Sequence, residues 1–439
     1  CCNSKINGRV GGCMNLNAEV KKQFFKTFEI LKTTLSVDQI PEILSLTSYS
    51  VYAEFDAVKT VSSTGENEIL KYFQDFVQRH NLIWVNAPVL KAAAHSYSDI
   101  LRSLITFYGE CTSTDEFGRQ IVDLLQEWVG LNPSSLGSFY SSSESVIALF
   151  QSLIGDCSDA VLYDGACGIG MIANRLNPKK AILRDINQTV VGITALLFKM
   201  SNIDVDLQVA DTLTHNETSY NVDIVASTPP FGLRIQSQLV ENTAYIRDIH
   251  LGKSIPSSAS ESLWIQQALY QLNDTGRAFL QIIPGWLFRG GYDAALREKL
   301  IEKDWVEAVI QLPEKLLSNS NIETVLLVLN KAKNTNGVVR FVDARTLGQR
   351  TRSQTTLMLE DITLIRNLGM GIETDSQLSQ TISLQQIKEN KYNLHCNEYF
   401  ASEIEETKLD LKAESDKLIQ AQLEYEKAQQ IFNQILSEV

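Results

Sequence analysis

The sequence predicts an α/β fold: a seven-stranded sheet closed on both faces by helices, with a helical region ahead of it and a long helix after it. Three observations predict this. Short apolar runs alternate with amphipathic helical patterns from about residue 158; only helical periodicity occurs before about residue 135; and an apolar heptad runs through the last forty or so residues.

The amino-terminal elements come first. The chain begins with Cys1, its first methionine is Met14, and residues 1–13 are expected to be an upstream or tag remnant without a role. Over residues 14–135, apolar residues recur three and four apart. Val20, Phe24, Phe25, Phe28, Ile30 and Leu31 form one such series; Leu101, Leu104, Ile105 and Tyr108 a second; and Ile121, Leu124, Leu125, Trp128 and Val129 a third. Each builds one apolar helix face. No catalytic constellation accompanies them, so this reads as a helical accessory domain.

Residues 136–400 carry the sheet. Its strands are expected at 160–163, 181–183, 207–209, 222–225, 278–283, 306–311 and 324–329, with helices such as Gln188–Met200, Glu261–Leu272 and Ala294–Glu302 between them. Strands alternating with helices cover a sheet on both faces. In residues 401–439, Ile404, Leu411, Leu418, Tyr425 and Phe432 recur every seventh position among Glu, Lys, Gln and Asp. That is a coiled-coil seam. The helix either docks on its own chain or binds a partner, and the second is the expectation here.

Bulk properties narrow the function. The 439 residues are 44% hydrophobic and 21% charged, with a net charge of −13. Phosphate neutralisation dominates nucleic-acid affinity, so a nucleic-acid enzyme of this charge needs its basic residues concentrated or a partner to supply them. Seven cysteines without paired spacing and no apolar run long enough to span a bilayer point to a reduced, cytoplasmic setting. The five histidines show no ligand spacing, and no metal site is expected.

Chemistry concentrates at the strand ends. Tyr163-Asp164-Gly165-Ala166-Cys167-Gly168-Ile169-Gly170 follows a strand and precedes a helix, and its glycines let the backbone turn sharply beside a ligand. The next strand ends in Arg184-Asp185-Ile186, where a carboxylate can accept both hydroxyls of a ribose. The third ends in Ala210-Asp211-Thr212, within reach of an adenine amine. Acidic ends on three consecutive strands suit a nucleoside without phosphates, and S-adenosylmethionine is one. A nicotinamide or flavin nucleotide fits less well, because the loop lacks the G-x-G-x-x-G order.

The fourth strand runs into Thr228-Pro229-Pro230-Phe231. Two prolines turn the chain rigidly out of the sheet, leaving the Thr228 hydroxyl and backbone carbonyls towards the crevice. Phe231 offers a flat face for a base. An exocyclic amine conjugated to its ring is a poor nucleophile, and hydrogen-bond acceptors for its protons give the nitrogen tetrahedral character. The base has to leave the duplex to reach them.

With these residues in order, the sequence resembles the N6-adenine DNA methylase family, in particular the modification subunit of type I restriction–modification systems. The family's D-P-A-C-G-S-G-G loop corresponds to Asp164–Met171, and Gly137-Ser138-Phe139-Tyr140-Ser141 is similar to its G-E-F-Y-T-P segment. The similarity continues through Gly276–Ala278, Ile283–Arg289, Val309–Pro313, Thr381–Ile387 and Tyr392–Leu394, spanning roughly residues 137–400. The resemblance implies a Rossmann-like, S-adenosylmethionine-dependent methyltransferase sheet. It implies cofactor contacts from Tyr140, Ser141, Asp164, Ala166, Cys167, Gly168, Gly170, Asp185, Ile186, Asp211 and Thr212. It also implies that Thr228, Pro229, Pro230 and Phe231 perform the transfer to a flipped-out adenine. The implied partners are DNA, a specificity subunit joined through the terminal helix, a second modification subunit and a restriction subunit. Arg234, Arg289, Arg350 and Arg352, with Arg247 and Lys253, are the basic candidates for DNA contact.

The sequence departs from the family at three positions. Thr228 stands where the family has Asn, Asp or Ser, Gly165 replaces a proline, and Ile169 replaces a serine. Alternatives are a scaffold that has lost turnover through Thr228, and a methyltransferase acting on RNA or on protein glutamine.

Overall fold

The computed structural model describes residues 18–131, 143–317, 322–352, 354–400 and 411–437. Seven strands lie where the sequence places them: β1 (Val161–Asp164), β2 (Lys180–Asp185), β3 (Val205–Val209), β4 (Val222–Ser227), β5 (Leu272–Ile282), β6 (Val306–Gln311) and β7 (Val325–Asn330). Four more follow: β8 (Val338–Asp343), the short pair β9 (Gln349–Arg350) and β10 (Thr355–Thr356), and β11 (Ser379–Ser383). The main sheet therefore has nine strands rather than seven, in the order β11-β8-β6-β7-β5-β4-β1-β2-β3. The extra two differ in kind. In β8, inward Val339 and Phe341 alternate with half-exposed Arg340, a strand signal the apolar-run criterion passed over. In β11, Ser-Gln-Thr-Ile-Ser lies at the sheet edge and buries little besides Ile382.

β1 to β6 and β8 run in one direction, while β7 and β11 run against it. The chain leaves β1 towards β2 and β3 on one side and returns as β4 and β5 on the other. The crevice beyond the ends of β1 and β4 is thus the switch point, where parallel sheets bind ligands. Every strand-end residue named above lies on that edge.

Up to Tyr399 the described residues form one compact unit. Helix Gln188–Ser201, capped by Asn187, lies between the sheet and the amino-terminal helices Ile40–Ala53 and Thr114–Leu131. The approach is close: a Cβ on Gly118 would lie 2.2 Å from the Met200 carbonyl oxygen, and one on Gly192 would lie 2.1 Å from Trp84. One apolar core accordingly runs from Phe24, Phe28 and Trp128 through Leu196 and Phe198 to Leu183.

The described residues from Phe400 on form the second unit. Its helix, Leu411–Ser437, exposes Leu418 (70%) and Tyr425 (66%) from the heptad series. Ile404 lies outside the described residues, as does the side chain of Phe432. The helix is a single strand, and a coiled coil needs a second. None of the described helices is long and apolar enough to cross a membrane.

Candidate functional site

The glycine loop is shaped by what surrounds it. Gly168 (φ +52°) and Gly170 (φ +73°) take left-handed conformations that L side chains resist. A Cβ on Gly170 would also lie 2.4 Å from the Phe198 ring. At Gly165 the obstacle is Thr212: an added Cβ would lie 2.8 Å from its methyl, and the Thr212 hydroxyl donates to the Gly165 carbonyl at 2.6 Å. The family's proline is thus missing where a threonine from the end of β3 packs. Below the loop, the buried Tyr163 hydroxyl accepts from Gln267 at 2.8 Å.

Asp185 organises the loop from β2. Its Oδ2 accepts the Gly168 amide at 3.0 Å and its Oδ1 the Asn187 amide at 2.9 Å. A carboxylate has about four acceptor positions, so Asp185 keeps acceptor capacity beyond these amides. Ile186, 69% exposed, and the exposed Val209 at the end of β3 offer apolar surface beside it. Asp211 accepts the Leu213 amide at 3.2 Å and is otherwise open to solvent. Arg184, fully buried, anchors the region. It donates to Glu217 at 2.7 Å and Tyr220 at 2.5 Å, and pairs with Asp206.

Asp164 joins the two halves of the crevice. Its Oδ1 accepts the Ala166 amide at 3.1 Å and the Ser227 hydroxyl at 2.6 Å, and among the described residues no hydrogen bond is directed to Oδ2. Burial pushes its carboxyl up to about 7, against the hydrogen bonds from Ser227 and Ala166 that lower it. Burial also raises Asp185, though the backbone amides oppose it. Cys167 is raised well above the usual thiol range by burial, and stays a neutral thiol.

Ser227 directly precedes Thr228, so a cofactor-loop carboxylate lies one residue from the tetrapeptide. Thr228, Pro230 and Phe231 are half-buried and Pro229 is buried. Beyond them, the Gly232 amide donates to Glu261 Oε1 at 3.0 Å. Glu261 is 2% exposed, and its Oε2 accepts from Arg289 at 3.0 Å. Arg289 also pairs with Asp293 at 2.9 Å, so this basic candidate, 36% exposed, is engaged by two carboxylates of its own chain. Arg234, Arg247, Lys253, Arg350 and Arg352 are exposed. Arg350 ends β9 and Arg352 lies in the turn that leads to β10, and Lys315 donates to the Arg352 carbonyl.

Tyr140 and Ser141 lie outside the described residues. Sequence reasoning missed Ser227, Glu261, Thr194 and Gln126, all of which hold site backbone or carboxylates. Only Ser227 carried a signal, as the neighbour of Thr228. Among the described residues no cluster of His, Cys, Asp and Glu could hold a metal ion.

The family model described as N-6 DNA Methylase matches residues 112–408, taking in all of this geometry. The chain belongs to that family. It is therefore a DNA methyltransferase acting on the adenine N6 position, with S-adenosylmethionine as methyl donor. Among relatives, this methylase is 26% identical over 386 residues to the MpnII methylase subunit of a type I restriction enzyme from Mycoplasma pneumoniae, covering 82% of this chain and 71% of that one. It is 25% identical over 349 residues to the corresponding MjaVII subunit of Methanocaldococcus jannaschii, covering 72% and 59%. The methylase thus spans between about three fifths and about seven tenths of these relatives' length. A type I restriction-modification methyltransferase subunit from Streptococcus thermophilus shares the fold with a TM-score of 0.69 at 18% identity, over 88% of this chain and 99% of that one.

Proposed function

We propose that this methylase is the modification subunit of a type I restriction–modification assembly, methylating an adenine rotated out of its duplex. The observation that carries the reading is the Ser227–Asp164 hydrogen bond, which fastens the end of β4 to the cofactor loop. Methyl donor and base amine are thereby served from two loops tied at one point.

Asp185 takes the ribose hydroxyls of S-adenosylmethionine, Asp211 its adenine amine, and Ile186 the face of that adenine. Ala166, Cys167, Gly168, Gly170 and Thr212 shape the cradle, and the family resemblance assigns Tyr140 and Ser141 to the cofactor as well. Oδ2 of Asp164 faces the ammonium of the amino-acid moiety. When bound, the cofactor supplies a methyl group activated by its sulfonium. Phe231 stacks on the flipped base, and Pro229 and Pro230 hold the turn rigid. Thr228 Oγ1 and the Pro229 carbonyl accept hydrogen bonds from the two amine hydrogens, directing the nitrogen lone pair at the methyl carbon. This needs no metal and no covalent intermediate on the protein.

Arg289 is occupied by Glu261 and Asp293, so phosphate contact falls to Arg234, Arg350 and Arg352. With a net charge of −13, that is little positive surface. A specificity subunit supplies the rest and reads the target, docking on helix Leu411–Ser437 through Leu418 and Tyr425. A second methylase copy and a restriction subunit complete the assembly, which works in the cytoplasm.

The test is S-adenosylmethionine binding by calorimetry, wild type against Asp185→Ala, followed by methyl transfer to DNA with the co-expressed specificity subunit. The reading expects binding that Asp185→Ala loses, and methylation that needs the partner. A well-folded chain that binds no cofactor even with its partner would refute it. Truncation before Leu411 is expected to abolish assembly while leaving cofactor binding intact.

A further inference from the structure

Helix Thr114–Leu131 belongs to the amino-terminal helices, for which the sequence suggests no chemistry. One of its side chains nevertheless reaches the cofactor loop. Gln126, 1% exposed, donates from Nε2 to the Ile169 carbonyl at 3.3 Å and accepts at Oε1 from Asn174 Nδ2 at 3.2 Å. A buried carboxamide engaged at both ends has its orientation fixed.

The carbonyl it holds is a consequential one. Ile169 sits between Gly168 and Gly170, both at positive φ, and the backbone is least restrained by sterics beside glycine. The preceding carbonyl, of Gly168, accepts from Thr194 Oγ1 at 2.9 Å on helix Gln188–Ser201. Two consecutive loop carbonyls are therefore held by two different helices. The Gly168 amide is left aimed at Asp185, the ribose carboxylate.

We infer that Gln126 is a positioning residue of the cofactor site, fixing the glycine loop from the amino-terminal helices so that Asp185 meets a preorganised backbone. This rests on the assignment of the loop and Asp185 to S-adenosylmethionine. It also gives those helices a part in the reaction. A displacement of helix Thr114–Leu131, seated through Gly118 on the Met200 carbonyl, reaches the loop through one amide. The methylase's cofactor affinity thus depends on its accessory helices.

The experiment measures S-adenosylmethionine binding to the full chain by calorimetry, with the thermal midpoint of each variant without cofactor. Gln126→Met keeps the length of the side chain and removes both hydrogen bonds. Phe117→Leu, on the same helix and fully buried, loosens the core without touching the loop. Gln126→Met is expected to weaken binding roughly three- to tenfold, the worth of one hydrogen bond, and to speed amide exchange over residues 165–170. Phe117→Leu is expected to lower the midpoint at least as much and to bind as wild type does. Unchanged binding by Gln126→Met, while Asp185→Ala loses it, would overturn the inference and leave the site assignment standing. Equal weakening by Gln126→Met and Phe117→Leu would also overturn it, reducing Gln126 to a packing role. A wild-type chain that binds no cofactor would bring down the site assignment and the inference together.

Discussion

The two halves of the crevice are built by different means. Around β1, β2 and β3, backbone amides and short neutral side chains hold the loops: Gly168 and Asn187 to Asp185, Thr212 to Gly165, Thr194 to Gly168. Around β4 and β5, a run of charged side chains holds them. Gly232 rests on Glu261, Glu261 on Arg289, and Arg289 on Asp293. Arg297 then donates to the carbonyls of Arg289 and Tyr392, at 2.8 and 2.9 Å. In the cofactor half the loop is held by Asp185 and by neutral side chains such as Thr194 and Gln126, whereas the base half depends on a run of charged side chains. Perturbing one half should therefore leave the other measurable.

Thr228→Val makes the sharpest test of that separation. It keeps the shape of the side chain and removes the hydroxyl proposed to accept from the amine. Losing one preorganised hydrogen-bonding group at a reacting centre costs about a hundredfold or more in turnover. Single-turnover methylation should fall by that order while cofactor affinity stays at the wild-type value. Thr228→Asn, which installs a residue typical of the family, is expected to turn over at least as fast as wild type. If Thr228→Val methylated normally, the hydroxyl would have no part in the step.

Glu261 comes next in size. Glu261 is buried, whereas Arg289 is 36% exposed and keeps Asp293, so losing the Glu261 carboxylate chiefly strands the Gly232 amide. Glu261→Ala should therefore lower the thermal midpoint and slow methylation by loosening Gly232 behind Phe231. Glu261→Gln still offers an oxygen to the Gly232 amide, so it should recover most of the rate and less of the stability. Cofactor binding should survive both changes. If it is lost along with the rate, the two halves are one cooperative unit and the contrast between them fails.

The contrast also explains what could be read from the sequence. Glycines at positive φ and carboxylates at strand ends act through local backbone geometry, so Gly168, Gly170 and Asp185 announced themselves. Central strands such as β7 did too, since burial on both faces leaves unbroken apolar runs like Val325–Leu329. The half-exposed β3 showed only in its alternating Val205-Asp206-Leu207-Gln208-Val209. Glu261, Thr194 and Gln126 act on residues 29, 26 and 43 positions away, and no local pattern encodes such a contact. The start of β5 was hidden for a related reason. Asn273-Asp274-Thr275-Gly276 has a turn's composition, yet it extends the strand beside a register shift against β4. β11 was hidden by the polarity that suits an edge.

Asp164, the residue shared by both halves, gives the smallest and most specific effect. Its carboxyl lies at about 7 in the folded chain against 3.8 for an exposed group, because burial disfavours the charge. Between those values the folded state holds a proton that the unfolded state has released. Its contribution to stability is therefore fully present below about pH 4 and is lost as pH rises to about 7. Cofactor binding should run the other way. An ammonium beside Oδ2 favours the carboxylate, so binding below about pH 7 expels a proton and affinity climbs as pH rises towards 7. Calorimetry in two buffers of different ionisation enthalpy, from about pH 5.5 to about pH 8, reads that proton directly. Asp164→Asn should bind weakly with no proton release at any pH. Proton release that persisted in Asp164→Asn would move the titration to another group, and the raised Asp185 would be the first to examine.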